Sequence, residues 1–443
     1  MERLSVGLFA GAAACIVVSC MSSAEAAAEK VLYSFCSQYD CTDGALAGGN
    51  LVDVDGTFYS TTYEGGENCQ SSESIDGCGT VVSVDPKTGA ETVIYSFCSL
   101  SGCADGAYPP AGMIDVKGTL YGTTSAGGNA GCMSGCGTVF SLDPATGAEK
   151  VIYSFCSRSH CTDGGIPEAG LIDAKGTLYG TTSGGGNTSC RSGCGTAFSI
   201  DPKTGAEKVI YSFCGQSNCA DGEVPEAGLI AVKGTLYGTT FSGGSGGGGT
   251  VFSLDPITGA ETVLHAFCSQ ENCTDGKYPD AGLISVNGTL YGTTSAGGGN
   301  TSCDPGCGTV FSVDPATGAE TVLYSFCSQN QCIDGARPSA GLIDVKDMLY
   351  GTTYAGGDTC EPAICCKNFG GCGTVFSVDP NTGAEAVLHS FCDEQECTDG
   401  RSPETGLIDV KGTLYGTVFY GGENFQGRDC FDAGCGAVFS IKP

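Results

Sequence analysis

The phrase Tyr-Ser-Phe-Cys, or a close variant of it, returns seven times in this chain. Its cysteine falls at 36, 98, 156, 214, 268, 327 and 392, at intervals of 54 to 65 residues. Self-similarity with a period near 60 means stacked or circularly arranged units that bury their apolar faces against one another. The 443 residues therefore do not divide into two or three independent domains, as length alone would suggest.

One unit runs from Ala111 to Phe155. Residues 112–116 read as a short apolar strand, Lys117-Gly118 as a two-residue turn, and residues 119–124 as a second strand. Asp55-Gly56 and Asn287-Gly288 occupy the turn position in other units, and such pairs suit hairpins whose central residues need positive φ. A glycine-rich loop, Gly127 to Gly135, leads to a third strand at 137–142. Asp143-Pro144-Ala145-Thr146-Gly147 then forms a turn before a fourth strand at 149–155. Four antiparallel strands repeated seven times predict an all-β fold, a seven-bladed β-propeller over residues 31–443. The phase of the repeat predicts how it closes. The mature chain begins with a lone fourth strand, Val31 to Phe35, and ends with a lone third strand, Gly436 to Ile441. Three C-terminal strands plus one N-terminal strand (3+1 closure) would leave no open sheet edge.

The segments GMIDVKGTLYGTTSAGG at 112–128 and GTVFSVDPATGAETVLYSF at 308–326 resemble the GloVer (Gloeo/Verruco) tandem repeat of exported bacterial proteins. They are more distantly similar to kelch repeats, which share the double glycine after the second strand and the Asp-Pro-x-Thr turn. Kelch units carry a tryptophan, and this chain has none. Tyr121, Phe140, Phe155 and their equivalents are expected to take its packing role. The resemblance covers residues 30–443. It implies export, surface anchoring in some members and a propeller-like fold, and it implies no established reaction.

Thirty cysteines are too many for an ordinary reduced cytosolic protein. Residues 1–26 read as an export signal, with an apolar run from Leu4 to Met21 followed by Ala24-Glu25-Ala26. Val17-Val18-Ser19-Cys20 resembles a lipobox, which makes Cys20 an alternative point of lipid attachment. No other stretch is long enough to span a bilayer. Every unit carries C-x(4)-C after its fourth strand: Cys36/Cys41, Cys98/Cys103, Cys156/Cys161, Cys214/Cys219, Cys268/Cys273, Cys327/Cys332 and Cys392/Cys397. Six units also carry cysteines in the loop between strands two and three. These are Cys69/Cys78, Cys132/Cys136, Cys190/Cys194, Cys303/Cys307, Cys430/Cys435 and the group Cys360, Cys365, Cys366 and Cys372. The fourth unit has only glycines from Gly246 to Gly249 at the heart of that loop. Loss in pairs is what local disulfides predict; four-thiolate zinc sites are the rival reading. No metal site and no cofactor is expected.

The net charge of −30 argues against nucleic acid and anionic membrane surfaces as partners. Alternate turns of an up-and-down sheet lie on opposite faces, so the variable, cysteine-rich loops share one face, and binding is expected there. An Asp-Gly follows each C-x(4)-C, at Asp43, Asp105, Asp163, Asp221, Asp275, Asp334 and Asp399. These seven are candidates to hold a cationic ligand; the alternative is that each accepts backbone N–H bonds in a turn. Asp53, Asp115, Asp173, Asp344 and Asp409 recur on the first strand, facing the central channel or away from it. The three histidines are His160, His265 and His389; the latter two replace the repeat tyrosine and are expected to be packed. Residues that break the symmetry of the loop face are Arg158, Lys277, Arg337, Arg401, Arg428 and the segment Cys365–Lys367. No catalytic motif is present. The expected function is an exported recognition or adhesion module for a glycan, protein or cationic ligand. An enzyme acting on a polysaccharide with carboxylates at the channel mouth, and a purely structural surface protein, are the alternatives.

Overall fold

A computed structural model describes residues 29–68, 77–129, 135–300, 302–357, 372–393, 397–423 and 434–443. The proposed leader, residues 1–26 with Cys20, lies outside them. The described strands form seven antiparallel sheets in a ring, one per repeat, with no α-helix among the described residues. We number these blades 1 to 7 in chain order. Blade 2 shows the pattern: Ile114–Val116 innermost, then Thr119–Thr124, Thr138–Asp143 and, outermost, Ala148–Ser154. Blade 3 adds the two-residue strand Gly185–Gly186 to its third strand. Blade 7 takes its outer strand from the start of the chain: Glu29–Ser34 pairs with Ala437–Ile441, Glu29 opposite Ile441 and Ser34 opposite Ala437.

Local sequence explains the elements. Lys117 and Gly118 both adopt positive φ, 58° and 83°, the mirror-image turn whose twist matches the strands it joins. The side chain of Asp115 caps that turn, its Oδ1 accepting the Gly118 N–H at 2.7 Å. Asp53, Asp173 and Asp409 do the same for Gly56, Gly176 and Gly412. The first-strand aspartates at these four positions therefore point to the short-turn face. At the other end of the outer strand a Phe, such as Phe97, is buried between blades and meets Phe140 of the next blade edge-on at 5.0 Å. Phe155 and Phe198 repeat the contact at 5.0 Å. This aromatic pair fills the space between wedge-shaped sheets, and each such ring buries a large apolar area.

A threonine near the end of each second strand joins its blade to the next. Thr61 Oγ1 donates to Ala111 O at 2.9 Å, and Thr123 and Thr181 reach Ala169 O and Ala227 O at 2.9 Å. Thr239, Thr293 and Thr352 continue the series to Ala281, Ala340 and Thr405. Thr417 completes it by donating to Ala47 O of blade 1 at 3.4 Å. Gly406 N–H also donates to Asn50 Oδ1 across the same junction, at 2.7 Å. Glycine is obligatory where the loops cross. Gly44 has φ +96°, and a Cβ there would lie 2.6 Å from the Thr62 side chain.

Candidate functional site

The Asp-Gly aspartates lie at the outer rim, one per blade junction. All seven are fully buried. Asp105 is representative: it accepts Ser99 N–H and Oγ at 2.8 and 2.9 Å, Leu100 N–H at 3.1 Å and Tyr95 Oη at 2.8 Å. Asp43, Asp163 and Asp334 repeat the full set, and Asp221 makes it without the serine, whose place Gly215 takes. In two blades histidine stands for the tyrosine, and His265 and His389 face Asp275 and Asp399 at 3.5 and 3.3 Å. The geometry is that of a turn clasp, in which a carboxylate satisfies orphan N–H groups. It offers none of the seven carboxylates to a ligand.

A glutamate begins the outer strand of the following blade and stands beside each clasp. Burial first, and the neighbouring aspartate second, push Glu91, Glu149, Glu261, Glu320 and Glu385 up to about 7. In one junction the chain supplies its own counter-charge. Arg158 Nη2 lies 2.7 Å from Glu207 Oε2, whose side chain is fully buried.

The disulfides line the same loop face. Cys36–Cys41, Cys98–Cys103, Cys156–Cys161, Cys214–Cys219, Cys268–Cys273, Cys327–Cys332 and Cys392–Cys397 are joined, as are Cys190–Cys194 and Cys303–Cys307. Cys78, Cys136 and Cys435 are also disulfide-bonded. Cys69, Cys132, Cys360, Cys365, Cys366 and Cys430 lie outside the described residues, and Cys372 is buried. Loop and C-x(4)-C bridges sit together; the sulfurs of Cys303, Cys307, Cys327 and Cys332 all lie within 4.8 Å of one another. Sulfurs held in disulfides are not thiolate ligands. Each bridge closes a loop of only a few residues and contributes on the order of 2 kcal/mol by constraining the unfolded chain.

The symmetry breaks at the mouth of the central channel. The position held by Pro110 in Pro110-Ala111-Gly112 is Gly48, Pro110, Glu168, Glu226, Asp280, Ser339 and Glu404 in blades 1 to 7. These residues line a channel of about 240 Å³ together with that backbone. Four of the seven are acids. Asp280 is pushed up to about 7 by burial first, with Glu226 and Glu404 adding repulsion. Burial also raises Glu404 and Glu226 to about 7, Glu168 adding to the effect on Glu226, and it raises Glu168 itself. Glu404 is accessible, but the space it opens onto is the channel, so protein atoms still replace most of its solvent.

Above these acids, on the long-loop face, a cleft of about 520 Å³ opens over blades 4 to 7. Phe241 and Tyr278 form its wall, stacked with ring centres 4.6 Å apart and planes 7° from parallel. Asp280, Arg337, Tyr354 and Glu404 complete its polar lining together with Ser295 and Ser339. Of the symmetry-breaking residues named from the sequence, Arg337 lines this cleft. Lys277 lies beside it with Nζ 4.4 Å from the Tyr278 ring centre, and Arg401 sits over Tyr420 at 5.2 Å. Arg158 serves the rim instead, and His160 is exposed with its Nδ1 2.8 Å from Ser159 Oγ. Arg428 and Cys365–Lys367 lie outside the described residues. Sequence reasoning allowed for carboxylates at the channel mouth but named none of these four. Their signal was a single variable position, occupied by Gly, Pro, Glu, Asp or Ser, inside an otherwise constant segment.

The sequence pattern called the Gloeobacter/Verrucomicrobia repeat matches residues 21–232 and again 187–428. No curated protein matches the chain. Solved structures with a similar course include an oligogalacturonate lyase from Vibrio parahaemolyticus, 9% identical, covering 94% of this chain and 97% of its own, with a TM-score of 0.49. An oligogalacturonate lyase in complex with manganese is 11% identical over 94% and 96% of the two chains, with a TM-score of 0.47. A nidogen/laminin complex contributes a chain 14% identical over 71% and 91%, with a TM-score of 0.40.

Proposed function

This chain belongs to the Gloeobacter/Verrucomicrobia repeat family, and from that premise we propose that it is an exported recognition module which seats its ligand in the channel-mouth cleft. Residues 1–26 serve as the removed leader in this reading, and residues 31–443 act as one folded unit. The disulfides favour an oxidising compartment. No helix among the described residues is long and apolar enough to cross a membrane.

One observation carries the reading. In a ring of near-identical blades, the sector of the long-loop face over blades 4 to 7 opens a cleft among the described residues, with a stacked aromatic wall and side chains of both charges. Apolar walls with a few convergent polar groups are the usual form of a small-ligand site. The test is an array of glycans, peptides and amines probed with the disulfide-intact protein and with the double variant Phe241→Ala/Tyr278→Ala. The native protein is expected to retain one ligand class, and the variant to lose at least about tenfold in affinity. Retention unaffected by the two substitutions would put the ligand elsewhere and sink the reading.

The channel carboxyls favour a second reading, an enzyme acting on a polysaccharide. A carboxyl held protonated near neutral pH is what a general acid requires. Turnover of a polysaccharide that disappears in Asp280→Asn would select this reading over simple binding.

A further inference from the structure

Two polar atoms at the channel mouth have nothing to bond. Asp280 Oδ1 and Ser339 Oγ are both buried and meet no hydrogen-bond partner. They belong to the neighbouring blades 5 and 6, occupy equivalent positions, and line both the cleft and the channel beneath it. Buried acceptors without donors cost stability, and natural proteins retain few of them without a reason. Both can accept an N–H hydrogen, and an occupant with several hydrogens to donate relieves both at once.

The surrounding charge specifies that occupant further. Glu226 and Glu404 face Asp280 by charge and Ser295 by hydrogen bond, while Arg337, Tyr278 and Tyr354 stand across the cleft. The carboxyls outnumber the one guanidinium. The aromatic wall also tolerates a cation, since Lys277 already holds its ammonium 4.4 Å from the Tyr278 ring centre. A divalent ion fits less well. Calcium takes six to eight oxygens at roughly 2.3–2.6 Å, whereas these acids come singly from separate blades around a rim. A quaternary ammonium has no hydrogen for the two orphaned oxygens.

We propose that the channel mouth binds the primary ammonium group of an alkylamine-bearing ligand, with Asp280 Oδ1 and Ser339 Oγ accepting its N–H hydrogens. Glu226 and Glu404 supply the attracting field, and the Phe241–Tyr278 wall holds the alkyl chain. The inference rests on the recognition reading, and it names the ligand class for the same cleft.

Calorimetry on the disulfide-intact protein tests it with n-pentylamine as probe, and with tetramethylammonium and calcium chloride as comparisons. One pentylammonium is expected per chain. At pH 7 its binding releases protons, because carboxyls raised by burial ionise when the cation arrives; buffers of different ionisation enthalpy read that release. Asp280→Asn and Ser339→Ala should each weaken binding at least tenfold. Asp255→Asn should leave it unchanged, since that turn aspartate is exposed and backbone hydrogen bonds hold its carboxyl below the usual range. Binding without proton release and indifferent to Asp280→Asn would be general attraction to an acidic surface, and would overturn the proposal. So would tighter binding of calcium or of tetramethylammonium at the same site. If pentylammonium fails while array ligands still depend on Phe241 and Tyr278, the ligand class falls and the recognition reading stands. If neither binds there, both fall.

Discussion

Carboxyl groups are buried in two regions of this propeller, at the outer rim and at the channel mouth, and the two regions treat them differently. At the rim the pattern repeats in every blade: the clasp aspartates accept from groups of their own turn, as Asp105 does from Ser99, Leu100 and Tyr95, and beside them the same glutamate oxygen, Oε1 of Glu91, Glu149, Glu261, Glu320 and Glu385, is left without a partner in blade after blade. At the mouth the acids occur in four blades of seven, and Asp280 Oδ1 and Ser339 Oγ are left without partners. Polar groups that repeat in every blade, the unpartnered glutamate oxygens included, belong to the fold. Departure from repetition with unmet hydrogen bonding is what a ligand site keeps in reserve. In a repeat protein the two can be separated by lining up the blades.

The contrast can be broken or sharpened by experiment. The largest effect is expected from the junction that makes the ring. Deleting residues 29–35 removes the outer strand of blade 7 and Phe35 from the core at that junction, and it exposes Ala437–Ile441 as an open edge. Calorimetry should show a melting midpoint lower by more than about 10 °C, and sedimentation should show self-association; an unchanged midpoint would refute the pairing. Next comes the rim. Asp105→Ala strands several buried donors and should cost about 3 kcal/mol in denaturant unfolding while leaving ligand affinity intact.

The mouth should behave in the opposite way. Asp280 sits at about 7 in the fold against 3.8 for an ordinary aspartate. The native state therefore holds a proton that the unfolded chain has released, and stability falls as pH rises from about 4 to about 7. Asp280→Asn removes that penalty. It should stabilise the protein by on the order of 2 kcal/mol at pH 8, allowing for the channel's access to solvent, and by nothing at pH 3.5, while ligand binding is lost. Equal stability at both pH values would show that the mouth is open to bulk water. The smallest effect is expected at blade 4, where His265 faces Asp275 at 3.5 Å and burial lowers the imidazole. Tyrosines at this position lie 2.6 to 2.8 Å from their aspartates, so His265→Tyr should add about 1 kcal/mol.

The sequence carried most of the fold in local signals. The Lys-Gly, Asp-Gly and Asp-Pro-x-Thr-Gly turns declare themselves because they need residues with particular φ values, and the strands between them alternate in burial as the turns require. The site was far less legible. Glu168, Glu226, Asp280 and Glu404 lie tens of residues apart, and each reads as an ordinary loop charge until the ring brings them to one rim. The Asp-Gly aspartates misled in the opposite direction. Seven carboxylates in register look like a ligand ring, yet each is consumed by a tyrosine or histidine ten residues before it and by the backbone between. That fixed spacing of ten was the available sign that the aspartate belonged to its own turn. The first-strand aspartates were ambiguous because alternation alone does not say which end of a three-residue strand a side chain serves; the hydrogen bond from Gly118 N–H to Asp115 settles it for that turn.

Hydrogen–deuterium exchange with and without n-pentylamine bears most directly on the claim that function resides where the repeat is broken. The account predicts added protection confined to residues 278–282, 337–341 and 403–406, together with the segment around Phe241. Protection spread evenly over the equivalent residues of all seven blades, or concentrated at the rim turns around Asp105 and its counterparts, would contradict it.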